Sequence, residues 1–293
     1  MPTAASKPIR AFVLAGGGSL GAVQVGMLHS LAAHGVTADM VVGSSVGALN
    51  GAYYCGNPTF EGVQQLEKIW RNLRRSDVFP VTWRTLFGFL RRRDFLVASD
   101  ALCELVEKHL PYRNLEEAKI PIHIVTTDIL TGKTAVLSQG RASQAILAST
   151  AIPAAFAPVQ FETKYLADGA LSSNTPAKVA VNLGARHIII LPTGYACARE
   201  KPPTGAIANA LHALTLLIAT QLLSELGGLD PAVDYFVLPP LCPLDVSPYD
   251  FSHTEELIER AIESTDSWIA QGGLEHPRVY AQLSLHEHAH QPH

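Results

Sequence analysis

The stretch VVGSSVGALNGAYY, residues 41–54, decides how the rest of the chain is read. A strand-like run, Met40 to Val42, meets Gly43-Ser44-Ser45-Val46-Gly47, and small helix-favouring residues follow at once. This is G-x-S-x-G with Ser45 at its centre. A strand that turns straight into a helix holds its central residue in a strained corner. The residues two before and two after must be tiny, because strand and helix nearly touch there, and Gly43 and Gly47 meet that need. The hydroxyl then projects above the carboxyl end of a sheet, at a helix N-terminus whose free N–H groups favour developing negative charge. The N–H of Val46 is one candidate oxyanion donor. The plain alternative is a tight turn with a buried serine.

Working outward, RAFVLA (10–15) reads as a buried strand, LGAVQVGMLHSLAAHG (20–35) as a helix closing on Gly35, and DMVVG (39–43) as a second strand. Helices are predicted over 46–56, 59–75 and 99–110, the last with Ser99 or Asp100 as N-cap. Strands are predicted over 120–129 and 133–138, then a helix over 141–150. VQFE and KYLAD pair around a short turn. A helix (177–184), a buried strand (186–192), a long apolar helix (205–227), a strand (233–239) and a last helix (254–271) complete the chain. Strands alternating with helices predict a mostly parallel sheet covered on both faces. No repeat and no interdomain linker is visible. Residues 1–9 read as an extension, 10–272 as one domain, and 273–293 as a His-rich, frayed tail.

The 293 residues are 47% apolar and 16% charged, which excludes disorder for the bulk. A net charge of −4 gives no general affinity for nucleic acid. Locally the balance differs: Lys68 to Arg93 holds eight Lys/Arg against the single acid Asp77. Within it, VTWRTLFGFLRRRDFL (81–96) mixes aromatics with Arg84 and Arg91–Arg93, as a segment touching an anionic membrane does, or as a solvated arginine face over core aromatics does. Residues 205–224 carry no charge; a helix covering the sheet or lining a pocket is preferred over a membrane span. The four cysteines form no CxxC pair and read as reduced thiols. No secretory signal is read at the N-terminus, so a cytoplasmic protein, with peripheral membrane contact through 81–96, is the expectation.

Two further stretches bear on Ser45. AGGGSLGA (15–22) places Gly16, Gly18 and Gly21 as G-x-G-x-x-G between strand and helix, the dinucleotide fingerprint. That reading needs an acid at the end of the second strand. The only one nearby, Asp39, stands at its start, which leaves a nucleotide-binding protein as the weaker alternative. The same loop suits an oxyanion: successive glycine N–H groups beside Ser45 form an anion cradle. For a base, none of the twelve histidines sits in a catalytic context. His123 and His187 begin strands at the wrong edge, and His29, His34, His109, His212, His253 and His276 lie on or near helices. A carboxylate is the alternative, given desolvation and a close hydrogen bond. Asp168, in KYLADGALSSNTP, ends a strand, and Gly169 is read as freeing the backbone to turn it inward. Asp128 also ends a strand and is only modestly weaker on chemistry alone; Asp100 reads as a cap.

GGGSLG (16–21), GSSVG (43–47) and DGA (168–170), in that order, with GMLHSL, ASTAIPAAFAPV and YLADGAL between and around them, resemble the patatin-like phospholipase family. The resemblance runs over residues 10 to 192 and more loosely to about 272. It implies a three-layer α/β/α sandwich and a Ser–Asp dyad without catalytic histidine. On it, Ser45 is the nucleophile, Asp168 the base, and the amides of Gly17 and Gly18 the oxyanion hole, joined by Val46. It also implies hydrolysis of acyl esters in phospholipids, lysophospholipids or neutral lipids, with no metal and no cofactor. A transacylase and a catalytically silent lipid-binding module share the same features. One position departs: family members often carry Arg or Lys before the last loop glycine, where this chain has Leu20.

Overall fold

The computed structural model describes residues 8–78, 99–153, 155–194, 216–217, 221–242, 244 and 246–278. The aromatic-arginine segment 81–96, most of the uncharged run 205–224, Cys197 and the tail beyond 278 lie outside the described residues.

Among the described residues, eight strands form one sheet: β1 (Arg10–Leu14), β2 (Met40–Ser44), β3 (Ile122–Asp128), β4 (Thr134–Leu137), β5 (Val159–Phe161), β6 (Lys164–Asp168), β7 (His187–Leu191) and β8 (Asp234–Val237). The path is β5-β6-β3-β2-β1-β7-β8, with β4 also on β3. From β3 through β2, β1 and β7 to β8 every pairing is parallel. The pairings of β3 with β4, β3 with β6 and β5 with β6 are antiparallel. The sheet is therefore mixed. The expectation of a mostly parallel sheet holds for its centre, and the two hairpins expected from the sequence reverse direction at one edge.

Alternation along the strands builds two cores. Phe12, Leu14, Val41, Ile122 and Ile124 face one side. There they meet α1 (Gly21–Ala33), α2 (Val46–Gly56), α3 (Phe60–Asn72), α4 (Asp100–His109), α5 (Ala142–Ser149) and the last described helix, α7 (Thr254–Ala270). Ala11, Val13, Val42, Ile188 and Ile190 face the other. There they meet α6 (Ala177–Asn182) and Leu222, Leu226 and Leu229 from the region of helical residues 221–227. Residues 221–227, the described end of the run expected to be helical over 205–227, thus cover the sheet. No helix among the described residues is long and apolar enough to cross a membrane. α1 is buried almost all round because α7 lies across it; a Cβ on Gly26 would collide with the Ile258 carbonyl.

The register on β3 positions the site. Ile124 and Val125 pair with both β2 and β4, and Thr126 and Thr127 with both β6 and β4. A strand residue has only two lateral neighbours, so β4 takes one edge of β3 while β2 and β6 share the other, end to end. β2 runs up to Ser44 opposite Val125, and β6 comes down to Asp168 opposite Thr126. Their carboxyl ends meet head-on.

Candidate active site

Ser45 sits at the turn from β2 into α2 with φ 54° and ψ −126°, on the positive-φ side that L residues avoid. Holding a serine there costs about 1–3 kcal/mol, and surrounding contacts must supply it. Gly43 and Gly47 allow the crossing: a Cβ on Gly43 would fall on the Gly47 carbonyl, and one on Gly47 on the Leu14 carbonyl. Ser149, fully buried at the end of α5, is the clamp. Its Oγ accepts the Ser45 N–H at 2.8 Å and donates to the Val125 carbonyl at 2.6 Å, while its own carbonyl accepts the Gly169 N–H at 3.3 Å. One side chain and its backbone thereby fix both loops. Ser149→Ala leaves a buried N–H without a partner and is expected to cost about 1–3 kcal/mol in urea unfolding. Unchanged stability would show that the clamp carries no weight.

Asp168 is 3% exposed and Ser45 6%. Ser45 Oγ donates to Asp168 Oδ2 at 2.7 Å, and the Ala170 N–H donates to Oδ1 at 2.8 Å. Burial raises the Asp168 pKa from 3.8 to about 6; those two hydrogen bonds pull the other way. The carboxylate is thus a stronger base than a free one, yet ionised at neutral pH. Asp128, the rival on sequence, is partly exposed and accepts the Leu130 N–H at 3.0 Å in the β3–β4 turn. Asp100 lies in the first turn of α4, after Ser99 at the N-cap, and Asp39 accepts the Arg10 N–H at the far end of the sheet.

Gly169 corrects an expectation. Its φ is −63°, open to any residue. Glycine is needed there for contact, since a Cβ would press on the Val125 carbonyl and on Ser44 Oγ.

The glycine loop leaves β1, makes a 3-10 turn over Gly18–Leu20 and enters α1. Gly16 N–H donates to the Asn174 carbonyl at 3.1 Å, the Thr193 hydroxyl to Gly16 O at 2.7 Å, and Ser19 N–H to Pro248 O at 2.8 Å. Between these anchors the amides of Gly17 and Gly18 donate to no acceptor among the described residues. Val46 opens α2, so its N–H lacks an intrahelical partner as well. Gly18 has φ 59° and packs on Pro248, and Gly21 packs on Val46 and Trp70. A buried chain of side chains ties loop to helices: Gln24 Nε2 to Ala15 O, Asn50 Nδ2 to Gln24 Oε1, and Trp70 Nε1 to Asn50 Oδ1. Sequence reading missed Ser149, Asn50 and Trp70. Ser149 falls in the quoted ASTAIPAAFAPV, and nothing in the other two spacings points to the site.

An apolar pocket opens at Ser45 between α2, α3 and α4, with Leu49, Ile69, Leu73, Leu102, Val106 and Phe251 among its walls. His109 also lines it, its pKa lowered by burial. No histidine nitrogen among the described residues hydrogen-bonds Ser45. The lining is almost wholly apolar, as suits an apolar ligand.

Solved structures of similar fold include human GIVD cytosolic phospholipase A2 in complex with methyl gamma-linolenyl fluorophosphonate inhibitor and terbium chloride. It is 12% identical, with 91% of this chain and 58% of that one covered and a TM-score of 0.51. VipD from Legionella pneumophila is 15% identical, with 94% and 68% covered and a TM-score of 0.50. At such identities the likeness is one of fold. Patatin-like phospholipase domain-containing protein 7 of Rattus norvegicus is 27% identical over 209 residues, 71% of this chain and 15% of that protein. Neuropathy target esterase sws of Drosophila melanogaster is 29% identical over 187 residues, 62% of this chain and 13% of that protein. This chain therefore matches only a small part of these relatives' length. The family model described as patatin-like phospholipase matches residues 12–181, more than half of the chain and all three motifs, and the chain belongs to that family.

Proposed function

We propose that the protein is a serine acyl hydrolase of lipid esters. Ser45 Oγ attacks the ester carbonyl carbon and its proton passes to Asp168 Oδ2. The carbonyl oxygen, now negative, lies against the amides of Gly17, Gly18 and Val46. Collapse expels the alcohol, which takes the proton back from Asp168, and leaves Ser45 acylated. Water, giving its proton to Asp168, then attacks the acyl-enzyme; its collapse returns that proton to Ser45 and frees the fatty acid. The observation that carries this reading is the 2.7 Å Ser45–Asp168 hydrogen bond at an apolar pocket, beside amides with no acceptor among the described residues.

Hydrolysis of p-nitrophenyl esters tests it. The value of kcat/KM should rise at least about ten-fold from butyrate to decanoate, since each buried methylene contributes up to about 0.8 kcal/mol. It should also rise with pH through about 6, where Asp168 loses its proton, and stay level to pH 8. Absence of turnover, or a midpoint near 4, would contradict the reading.

A further inference from the structure

Beside the apolar pocket lies a second cavity, which shares Leu73 and Phe251 with it and has a different lining: Arg74, Arg75, Ser247, Tyr249, Asp250 and Ser252. One wall, residues 247–252, is fastened to the glycine loop. Ser19 N–H donates to Pro248 O at 2.8 Å and Ser19 Oγ to Ser247 O at 3.0 Å. Tyr249 lies within the field of the Asp168 carboxylate, which adds to burial in raising its pKa. One wall of the cavity is therefore held by the glycine loop, and one of its lining residues is within electrostatic reach of the Asp168 carboxylate.

Its cations come from the basic stretch Lys68–Arg93. Arg71, from the same stretch, is engaged by Glu67 at 2.9 Å, Glu255 at 2.6 Å and Glu259 at 3.5 Å. Arg74 and Arg75 have no ion pair among the described residues and are exposed at the cavity. The one carboxylate in the lining, Asp250, accepts the N–H and hydroxyl of Ser252 at 2.9 and 2.7 Å and feels Arg75 only at longer range. Two guanidinium groups against one occupied carboxylate leave the cavity cationic. Guanidinium suits phosphate oxygens in charge and in fork geometry. The apolar pocket thus has the nucleophile in its lining and meets a cationic cavity across Leu73 and Phe251, and one wall of that cavity is tied to the loop with the open amides. A phosphoacylglycerol joins a chain, an ester and a phosphate in one molecule.

We propose that Arg74 and Arg75 hold the phosphate of the lipid whose acyl chain fills the apolar pocket, and so select phosphoacylglycerols over uncharged acylglycerols. This rests on the ester-hydrolase reading above. The test compares decanoyl lysophosphatidylcholine with decanoylglycerol, both as monomers, in the wild type and in Arg74→Gln/Arg75→Gln. The ratio of their kcat/KM values should fall about ten-fold or more in the double variant, through KM. A ratio that does not move overturns the proposal. If it stays fixed while sedimentation with phosphatidylglycerol vesicles weakens, the arginines read a membrane surface instead, and the proposal is equally overturned. Wild-type p-nitrophenyl decanoate turnover is measured alongside. Its absence defeats the hydrolase reading and this proposal with it; its presence with an unmoved ratio defeats this proposal alone.

Discussion

Ser45→Ala is expected to lower ester turnover by about 10⁴-fold or more, and Asp168→Asn by about 10²–10⁴-fold, with fold and pocket intact. The two variants part company in stability. Burial raises the Asp168 pKa to about 6 in the folded chain, above its ordinary 3.8. A raised carboxyl pKa means that the native state prefers the protonated group. Its contribution is fully present below the unfolded pKa and is lost as pH rises through about 6. At pH 7 the ionised Asp168 therefore costs up to about 3 kcal/mol, relieved in part by any relaxation around it. Asparagine removes that charge and can keep a bond to the Ala170 N–H. Asp168→Asn should then melt higher than wild type at pH 7, with the gap closing toward pH 4. An inactive variant that is also more stable marks a catalytic group held against the interest of the fold. An Asp168→Asn protein with wild-type turnover would remove the carboxylate from the mechanism.

The second large effect lies in the backbone. Gly47→Ala should destabilise by more than about 3 kcal/mol, or abolish folding, because the added methyl falls on the Leu14 and Ala15 carbonyls. Neither β1 nor α2 can retreat, since β1 is paired on both edges and α2 is packed beneath α3 and α5. Gly35→Ala is the control. Gly35 has φ 69° but open space around its Cα, so the expected loss is only about 1–2 kcal/mol, the cost of a left-handed conformation. Urea midpoints of the two variants give the comparison. Equal losses would mean that conformational preference rather than the crossing of strand and helix requires glycine at position 47.

Much of this was legible in the sequence. The serine corner announces itself because the residues that make it, Gly43 to Gly47, are contiguous and their spacing follows from one local crossing. The hairpins at 120–138 and 159–168 and the covering role of the helical residues at 221–227 follow from period and polarity in the same way. The pairing of Ser45 with Asp168 is less visible. It spans 123 positions and depends on β2 and β6 sharing one edge of β3, which is a matter of register and leaves no local mark. For that reason Asp128 and Asp168 stood close on chemistry alone, although one caps a turn in solvent and the other is buried against a hydroxyl. Ser149 was hidden differently. A serine that holds another residue's N–H has no spacing of its own, and only the fold brings α5 beneath the elbow. Gly169 was noticed for a wrong reason, because contact and conformational freedom ask for the same residue.

The most direct measurement of the central claim uses an alkyl fluorophosphonate, which is attacked by an activated serine and stays attached. After incubation with the wild-type protein, peptide mass mapping should find one phosphonyl group, on the peptide that contains Ser45. Labelling should be strongly slowed in Asp168→Asn and gone in Ser45→Ala. An adduct on another serine, with Ser45 unmodified in protein that still turns over esters, would contradict the assignment.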